Sequence, residues 1–306
     1  MLSRSTLALT LLCASGAGAQ GFLRTHVPGS NICLFWANRS LTYSPDSAGY
    51  SKVDVFPALD AAYASWQAQA ATCSEFTFVK GAQITGATVG YDPNSASNAN
   101  VLIFREANCS SIVPPGDPCL ANSTCMNAYR CWSHDDYTNA LTTTTFSNDT
   151  GVIYDADTEF NASPHTDGTP AFLFTVVDSP PCDASNISES CVATDVQETM
   201  THETGHAIGL DHVMISGSTM EPTAPLGETQ KRTIDNGTGT GFCTIYPLGQ
   251  PSPPCDPSAA LSQKITATNQ GTAGLSGIGC QFTDGWVPGL ALLTLFPRRR
   301  RPARPR

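Results

Sequence analysis

The segment His202–His212 is the feature that most restricts how this chain can fold. It reads His-Glu-Thr-Gly-His-Ala-Ile-Gly-Leu-Asp-His. His202 and His206 are four residues apart, so on a helix they project from one face and reach the same point. Gly209 predicts the end of that helix, because glycine readily adopts the left-handed conformation found at helix ends. The chain can then turn and bring His212 back to the other two histidines.

Three converging histidines are typical of a catalytic zinc site. Zinc held by three neutral imidazoles keeps an open position for a water, whose pKa falls to about 7. Glu203 follows the first histidine, where its carboxylate can reach that water rather than the metal. We therefore predict His202, His206 and His212 as zinc ligands and Glu203 as the catalytic general base.

The residues around the motif also favour a helix. Thr194 and Gln197 have the spacing of a capping box, which predicts where the helix begins. An apolar stripe separate from the histidines is formed by Val196, Met200, Ala207 and Leu210. This stripe can be buried against a sheet, which leaves the histidines on another face of the helix.

The motif resembles the metzincin clan of zinc peptidases. Met220, in Ser-Thr-Met-Glu-Pro, stands eight residues after His212, a spacing similar to that of the matrixin branch. The resemblance implies that Met220 forms an apolar floor beneath the metal. Cys243–Pro247 resembles the end of bacterial matrixin-like catalytic domains. Asp155–Asn161 resembles their substrate-side edge strand, where an extended peptide would pair through its backbone.

Patterns elsewhere indicate an α+β domain. Leu59, Tyr63 and Trp66 recur at helical spacing after Pro57 and, with Ala70, predict an N-terminal helix. Short runs rich in Val, Ile, Phe and Thr predict a sheet of about five strands; they include Arg39–Tyr43, Glu75–Val79, Asn100–Phe104, Gly151–Phe160 and Ala171–Val177. With the resemblance, the expected fold is metzincin-like: a twisted mixed sheet, an N-terminal helix, the zinc-binding helix and a C-terminal helix.

Both ends of the chain are typical of targeting segments. Residues 1–19 have the basic start, short apolar run and small-residue end of a signal peptide. We expect a peptidase domain over 20–250 and a Pro/Ser/Gly/Thr-rich spacer over 251–279. Residues 280–306 resemble the C-terminal sorting signal of myxobacterial surface proteins, with Cys280, an apolar run and an arginine cluster. That likeness implies Cys280 as a processing or attachment point, and a weakly ordered tail is the alternative.

Ten cysteines lie between these two ends. They are Cys33, Cys73, Cys109, Cys119, Cys125, Cys131, Cys182, Cys191, Cys243 and Cys255. An even number in an exported chain predicts disulfides, and the absence of Cys-x-x-Cys argues against a cysteine metal site. The pairing stays open, although Cys182 and Cys191 are close enough in sequence to be natural partners. We also expect disulfide-pinned loops, including Cys109–Cys131, near the substrate cleft.

Charge restricts the partners. Between residues 20 and 279 there are nine Lys or Arg and 25 Asp or Glu, a net charge of −16. Such a surface repels nucleic acids and anionic lipids. We expect protein or peptide substrates, no nucleic acid, and membrane contact only through the C-terminal tail before processing. The protein is expected to be a monomer that is secreted or attached to the outer surface of the cell.

Other histidines and acids are weaker candidates for metal binding. His165 and Asp167 could form a reduced second metal loop, although a histidine in a polar loop is more often solvated. His26 and His134 have the same interpretation. The acids of Asp155–Glu159 could bind Ca²⁺, although alternating acids on an exposed strand are commoner.

Three functions fit these observations. The favoured hypothesis is an extracellular zinc endopeptidase. The alternatives are a surface binding or adhesion module on the same scaffold and a zinc hydrolase of a non-peptide substrate. A binding module would be indicated by loss of a ligand or of the base, and this chain retains all four residues.

Overall fold

The computed structural model describes residues 21–167, 169, 171–255 and 276–281. The predicted signal peptide and the apolar run and arginine cluster of the predicted sorting signal lie outside these ranges. Within them, no helix is both long and apolar enough to cross a membrane.

Short strands and helices alternate along the domain. The strands are β1 (Leu23–Arg24), β2 (Ser40–Pro45), β3 (Thr77–Lys80), β4 (Asn100–Arg105), β5 (Thr138–Phe146), β6 (Ile153–Asn161), β7 (Phe174–Thr175), β8 (Thr194–Asp195), β9 (Leu210–Asp211) and β10 (Ser276–Gln281). The helices are α1 (Phe56–Ala70), α2 (Cys109–Ile112), α3 (Pro118–Asn122), α4 (Cys125–Ala128), α5 (Val196–Ala207) and α6 (Asn236–Ile245). A 3₁₀ turn covers Gln230–Arg232.

A mixed sheet forms the centre of the domain, in the order β3-β2-β4-β6-β5-β10. The strands β3, β2, β4 and β6 are parallel, whereas β5 runs antiparallel to β6. Strands β2 to β6, together with α1, α5 and α6, confirm the predicted metzincin-like α+β fold. β10, from near the C-terminus, adds a further antiparallel strand beside β5. It crosses the predicted boundary between spacer and sorting segment.

One member of the sheet differs from the prediction. Ala171–Val177 contributes only β7, which pairs with β8 in a separate two-stranded sheet. The fifth strand is β5 instead, whose four consecutive threonines lack the alternation of polar and apolar residues that marks a half-buried strand. Among the strands of residues 21–255, β5 is the last one on this side of the sheet, and β10 lies beyond it. The prediction that Asp155–Asn161 forms the substrate-side edge was therefore wrong, because β6 lies between β4 and β5.

α1 and α5 pack together on one face of the sheet. The predicted stripe of α1 is buried, namely Leu59, Tyr63, Trp66 and Ala70. The indole Nε1 of Trp66 donates to the carbonyl oxygen of Thr201 at 2.8 Å, which ties α1 to α5. Val196 and Met200 of α5 join the same core. This packing fixes α5 through its apolar side and leaves the histidine side for the site.

The opposite face of the sheet carries buried charged groups. Side chains alternate between the two faces along a strand. Thr158 of β6 is on the α5 side, so its neighbour Glu159 points to the opposite face. The Glu159 carboxylate pairs with the Arg105 Nε at 2.6 Å and contacts the His134 Nε2 at 3.2 Å. Asp157 accepts two backbone N–H bonds. The expectations of an exposed acidic strand and a solvated His134 were therefore wrong.

Five disulfides cross-link the described residues. They are Cys33–Cys255, Cys73–Cys243, Cys109–Cys131, Cys119–Cys125 and Cys182–Cys191. The last of these confirms the pairing that sequence distance favoured. The segment that contains Cys119–Cys125 also carries Asn127, which contacts Arg105 and Val89. It packs on the face of the sheet opposite α5, not beside the substrate cleft as expected.

Candidate metal centre

α5 positions the first two histidines and begins at a carboxylate cap. The Asp195 Oδ1 accepts from the backbone N–H of Glu198 at 2.7 Å, so Asp195 is the N-cap. The predicted capping box of Thr194 and Gln197 was wrong by one residue, because α5 begins at Val196 and the Asp195 side chain makes the capping bond. Asp195 is held in turn by Arg232, whose Nε donates to it at 2.9 Å.

A glycine turn returns the chain to the helix. α5 ends at Ala207, and Gly209 follows with a φ of +92°. A Cβ at this position would lie 2.6 Å from the carbonyl oxygen of Leu34, so both the conformation and the space require glycine here. The following residues form β9, which pairs with β1, and His212 then reaches the site.

The three histidines meet at their Nε2 atoms. The Nε2 of His202 lies 3.0 Å from that of His206, and the Nε2 of His212 lies 3.1 Å from both. The His202 Nδ1 donates to the Thr219 carbonyl at 2.6 Å, and the His206 Nδ1 donates to the Leu210 carbonyl at 3.0 Å. A carbonyl oxygen can only accept, so each of these Nδ1 atoms carries the ring hydrogen and leaves its Nε2 with a lone pair.

Burial keeps these rings neutral. His202 and His206 are at most 2% exposed, and burial, together with the neighbouring imidazoles, lowers the pKa of each well below its usual range. Burial lowers the pKa of His212 to about 4. Neutral imidazole is the form that binds metal. Convergent lone pairs repel one another unless a cation lies between them, so the donor set fits a zinc ion.

Glu203 lies beside this centre and is anchored to the sheet. Its side chain is fully buried, and its Oε2 accepts from the Thr142 Oγ1 at 2.7 Å. Thr142 belongs to β5, and its hydroxyl lies 3.0 Å from that of Thr158 on β6. A hydroxyl has one hydrogen to donate, and the shortest contact assigns it to Glu203. The two threonines therefore form a short hydrogen-bonded chain that ends at the carboxylate.

Met220, predicted to lie beneath the metal, packs against α5. Met220 is fully buried, and a Cβ placed on Gly205 would lie 2.3 Å from its Sδ. The backbone carbonyl of Met220 accepts from the N–H of Val213 at 3.0 Å. The turn before it is held by Asp235, whose Oδ2 accepts from the Thr219 N–H at 2.7 Å. This contact places the Thr219 carbonyl at His202.

Three residues that contribute to the site were not predicted from the sequence: Thr142, Thr219 and Asp235. Thr142 belongs to no motif and reaches Glu203 from a distant part of the chain. Thr219 stands next to the predicted Met220 but acts through its backbone carbonyl, which no side-chain pattern indicates. Asp235 had a detectable signal, because Asp followed by Asn-Gly-Thr is a good helix start, and it does cap α6. Nothing in its sequence position indicated that Asp235 would also hold the turn before Met220.

The weaker candidates lie away from the three histidines. The Asp167 carboxylate accepts from the Tyr137 hydroxyl, and the His165 Nδ1 contacts the Thr169 hydroxyl at 2.6 Å. His26 lies near Cys33 and Cys255, but these two cysteines are joined in a disulfide. Cys280 falls in β10. The predicted Ca²⁺ stays a prediction.

The fold and the centre together define a class of protein. A mixed sheet with one antiparallel strand after the parallel ones, a helix with two histidines, a glycine turn to a third and a buried methionine packed against that helix constitute a metzincin-like domain. Residues 123–247 match the Matrixin family model, a range that includes β5, α5 and α6. The match supports a matrixin-like zinc metallopeptidase. No curated protein matches the sequence significantly.

Proposed function

We propose that this protein is a zinc-dependent endopeptidase that hydrolyses extended stretches of other proteins outside the cell. The observation that carries the proposal is the convergence of three neutral imidazoles beside a buried carboxylate that is anchored to β5. The match to the Matrixin model supports the same class of activity.

The residues divide the chemistry between them. His202, His206 and His212 would hold zinc, which when bound supplies a Lewis acid and lowers the pKa of water. Glu203 takes the proton of the attacking water on its carboxylate and delivers it to the leaving amine. Thr142 keeps one carboxylate oxygen in place while the proton moves.

The backbone edge of β5 that faces away from β6 determines which shape of substrate can bind. An extended peptide that adds to a sheet is held through its backbone, so recognition depends little on side-chain identity along the pairing. We infer that β5, rather than β6, provides this pairing. The acidic surface predicts weak binding of strongly acidic peptides.

Export and surface attachment form part of the proposal. The signal-like pattern of residues 1–19 and five disulfides support an oxidising location. The likeness of the C-terminal residues to a sorting signal supports attachment, with Cys280 as its processing point. We expect a monomer, since the proposed site is built from one chain.

A cleavage assay separates the proposal from its alternatives. The purified chain is incubated with casein, a mixed peptide library and a panel of non-peptide esters, with a zinc chelator and after zinc is restored. We expect internal peptide cleavage that the chelator removes and zinc restores. Zinc binding without any turnover would instead establish a binding module. Turnover of esters alone would establish a non-peptide hydrolase.

A further inference from the structure

The outer edge of β5 is covered by a segment of the same chain. Residues 276–281 form β10, which pairs antiparallel with β5. Ser276 lies opposite Thr144, Ile278 opposite Thr142 and Cys280 opposite Ala140. The pairing is regular until a shift between Cys280 and Gln281.

This pairing occurs next to the candidate metal centre. Thr142, the partner of Ile278, is the residue that donates to the Glu203 carboxylate. Cα atoms of β10 also come within 8 Å of Cα atoms of α5, the helix that carries two of the histidines. The segment therefore lies along the part of β5 that borders the site.

Only one strand can pair with this edge at a time. β6 occupies one side of β5, so the other side is the single row of N–H and C=O groups left for a further strand. A peptide substrate that pairs with β5 needs the same groups that β10 uses. Resting on the proposed function, we propose that Ser276–Gln281 is an intramolecular competitor of substrate that covers the peptide-binding edge of β5.

The linkage to the domain makes such competition effective. Cys255 is joined to Cys33, and 20 residues separate it from Ser276. A tether of this length gives a local concentration on the order of millimolar. Gly277 and Gly279 weaken the strand, because glycine loses more backbone entropy on pairing than other residues. The segment is thus held close and yet can be displaced, and a cut between Cys255 and Ser276 would release it.

The first test measures coverage of the edge without catalysis. In a full chain that carries Glu203→Ala, the pair Ile278→Pro and Gly279→Pro is compared with the matched pair Ile265→Pro and Gly271→Pro. Neighbouring residues of an edge strand point their N–H groups in opposite directions, so one of the two β10 prolines removes a donor that faces β5. We expect faster hydrogen exchange of residues 138–146 in the β10 pair alone. Equal protection in both pairs would overturn the proposal.

The second test measures competition in chains that retain Glu203. We expect the β10 pair to lower the apparent KM for peptides by about tenfold with kcat unchanged, as when a site occupied nine-tenths of the time is freed. The same KM in the β10 and control pairs would overturn the proposal while leaving the peptidase function standing. If hydrogen exchange of β5 is faster in the β10 pair but no chain that retains Glu203 cleaves peptides, β10 does cover the edge of β5 and the peptidase function is refuted.

Discussion

At the scale of the residue, Thr142 and Asp155 show what the sequence patterns could not predict. The ligands and Glu203 could be proposed from spacing alone, because a helix fixes which of its residues share a face. Thr142 reaches Glu203 from another element, and its contact depends on the order of strands in the sheet. Likewise, the acids of β6 alternate as they would on an exposed strand, and their burial depends on segments that cover the sheet.

Removal of the Thr142 hydroxyl tests its positioning of Glu203. We expect Thr142→Val to lower kcat for peptide cleavage by about tenfold or more, since a hydrogen bond to a charged group contributes about 1.5–3 kcal/mol. Thr142→Ser keeps the hydroxyl and should retain most of the activity. The idea fails if valine is harmless or if serine is as damaging as valine.

The pair of Asp155 and Asp157 predicts a pH dependence of stability. Burial raises the pKa of Asp155 to about 6 and raises the pKa of Asp157 as well. The negative charge of each carboxylate disfavours ionisation of the other, so the pair binds more protons in the folded state than in the unfolded chain. An acid with a raised pKa binds more protons in the folded state, so its contribution to stability falls as pH rises above about 4.

Asp155→Asn imitates the protonated form and should remove this contribution. We expect the variant to gain about 2 kcal/mol in free energy of unfolding relative to wild type between pH 4 and pH 7. Urea unfolding across this range measures the difference, with Asp149→Asn as a control at an exposed position. A difference that stays constant with pH would contradict the raised pKa of Asp155.

At the scale of the element, helices were predicted better than strands. The apolar stripes of α1 and α5 were visible because they recur at helical spacing and both proved buried. β5 was missed because its threonines are polar, although they are β-branched and therefore common in strands. Ala171–Val177 was predicted as a strand of the main sheet because of its apolar residues, but it contributes only β7. The start of α5 was misplaced because both Thr194 and Asp195 can cap, and in the structure it is the Asp195 carboxylate that accepts from the Glu198 N–H.

The contact between α5 and the methionine turn gives a prediction at this scale. Gly205→Ala should improve helix propensity by about 1 kcal/mol but place a Cβ 2.3 Å from the Met220 Sδ. Because this core is tightly packed, we expect a net loss of about 1–3 kcal/mol and a lower Tm. Gly239→Ala on α6 is the control, since its Cβ would meet only the flexible end of Gln69. A Tm at or above wild type for Gly205→Ala would refute the packing argument.

At the scale of the whole molecule, disulfides join distant parts of the chain. Cys73–Cys243 links the residues after α1 to α6 across 170 positions, whereas Cys119–Cys125 closes a loop with a separation of 6. Cysteine count and export predicted disulfides, but pairing depends on which elements are adjacent. Sequence distance identified Cys182–Cys191 and could not identify the long-range pairs.

The length of the loop that each disulfide closes predicts how much free energy of unfolding is lost when that disulfide is removed. The chain-entropy argument gives about 5 kcal/mol for the Cys73–Cys243 bond and about 2 kcal/mol for the Cys119–Cys125 bond. Replacing each pair by serine should therefore lower the free energy of unfolding more for Cys73 and Cys243. Denaturant titration of both variants provides the comparison, and an equal or reversed order would contradict it.

The central claim is that Glu203 acts on water at a zinc ion held by three histidines. The most direct measurement is the rate of casein cleavage by a Glu203→Ala chain that has been shown to contain one zinc, with Glu189→Ala as the matched exposed control. We predict that zinc is retained, that the Glu203 variant loses cleavage by about 10²–10⁴-fold, and that the control cleaves as wild type does. Near-wild-type cleavage by the zinc-loaded Glu203→Ala chain would contradict the claim.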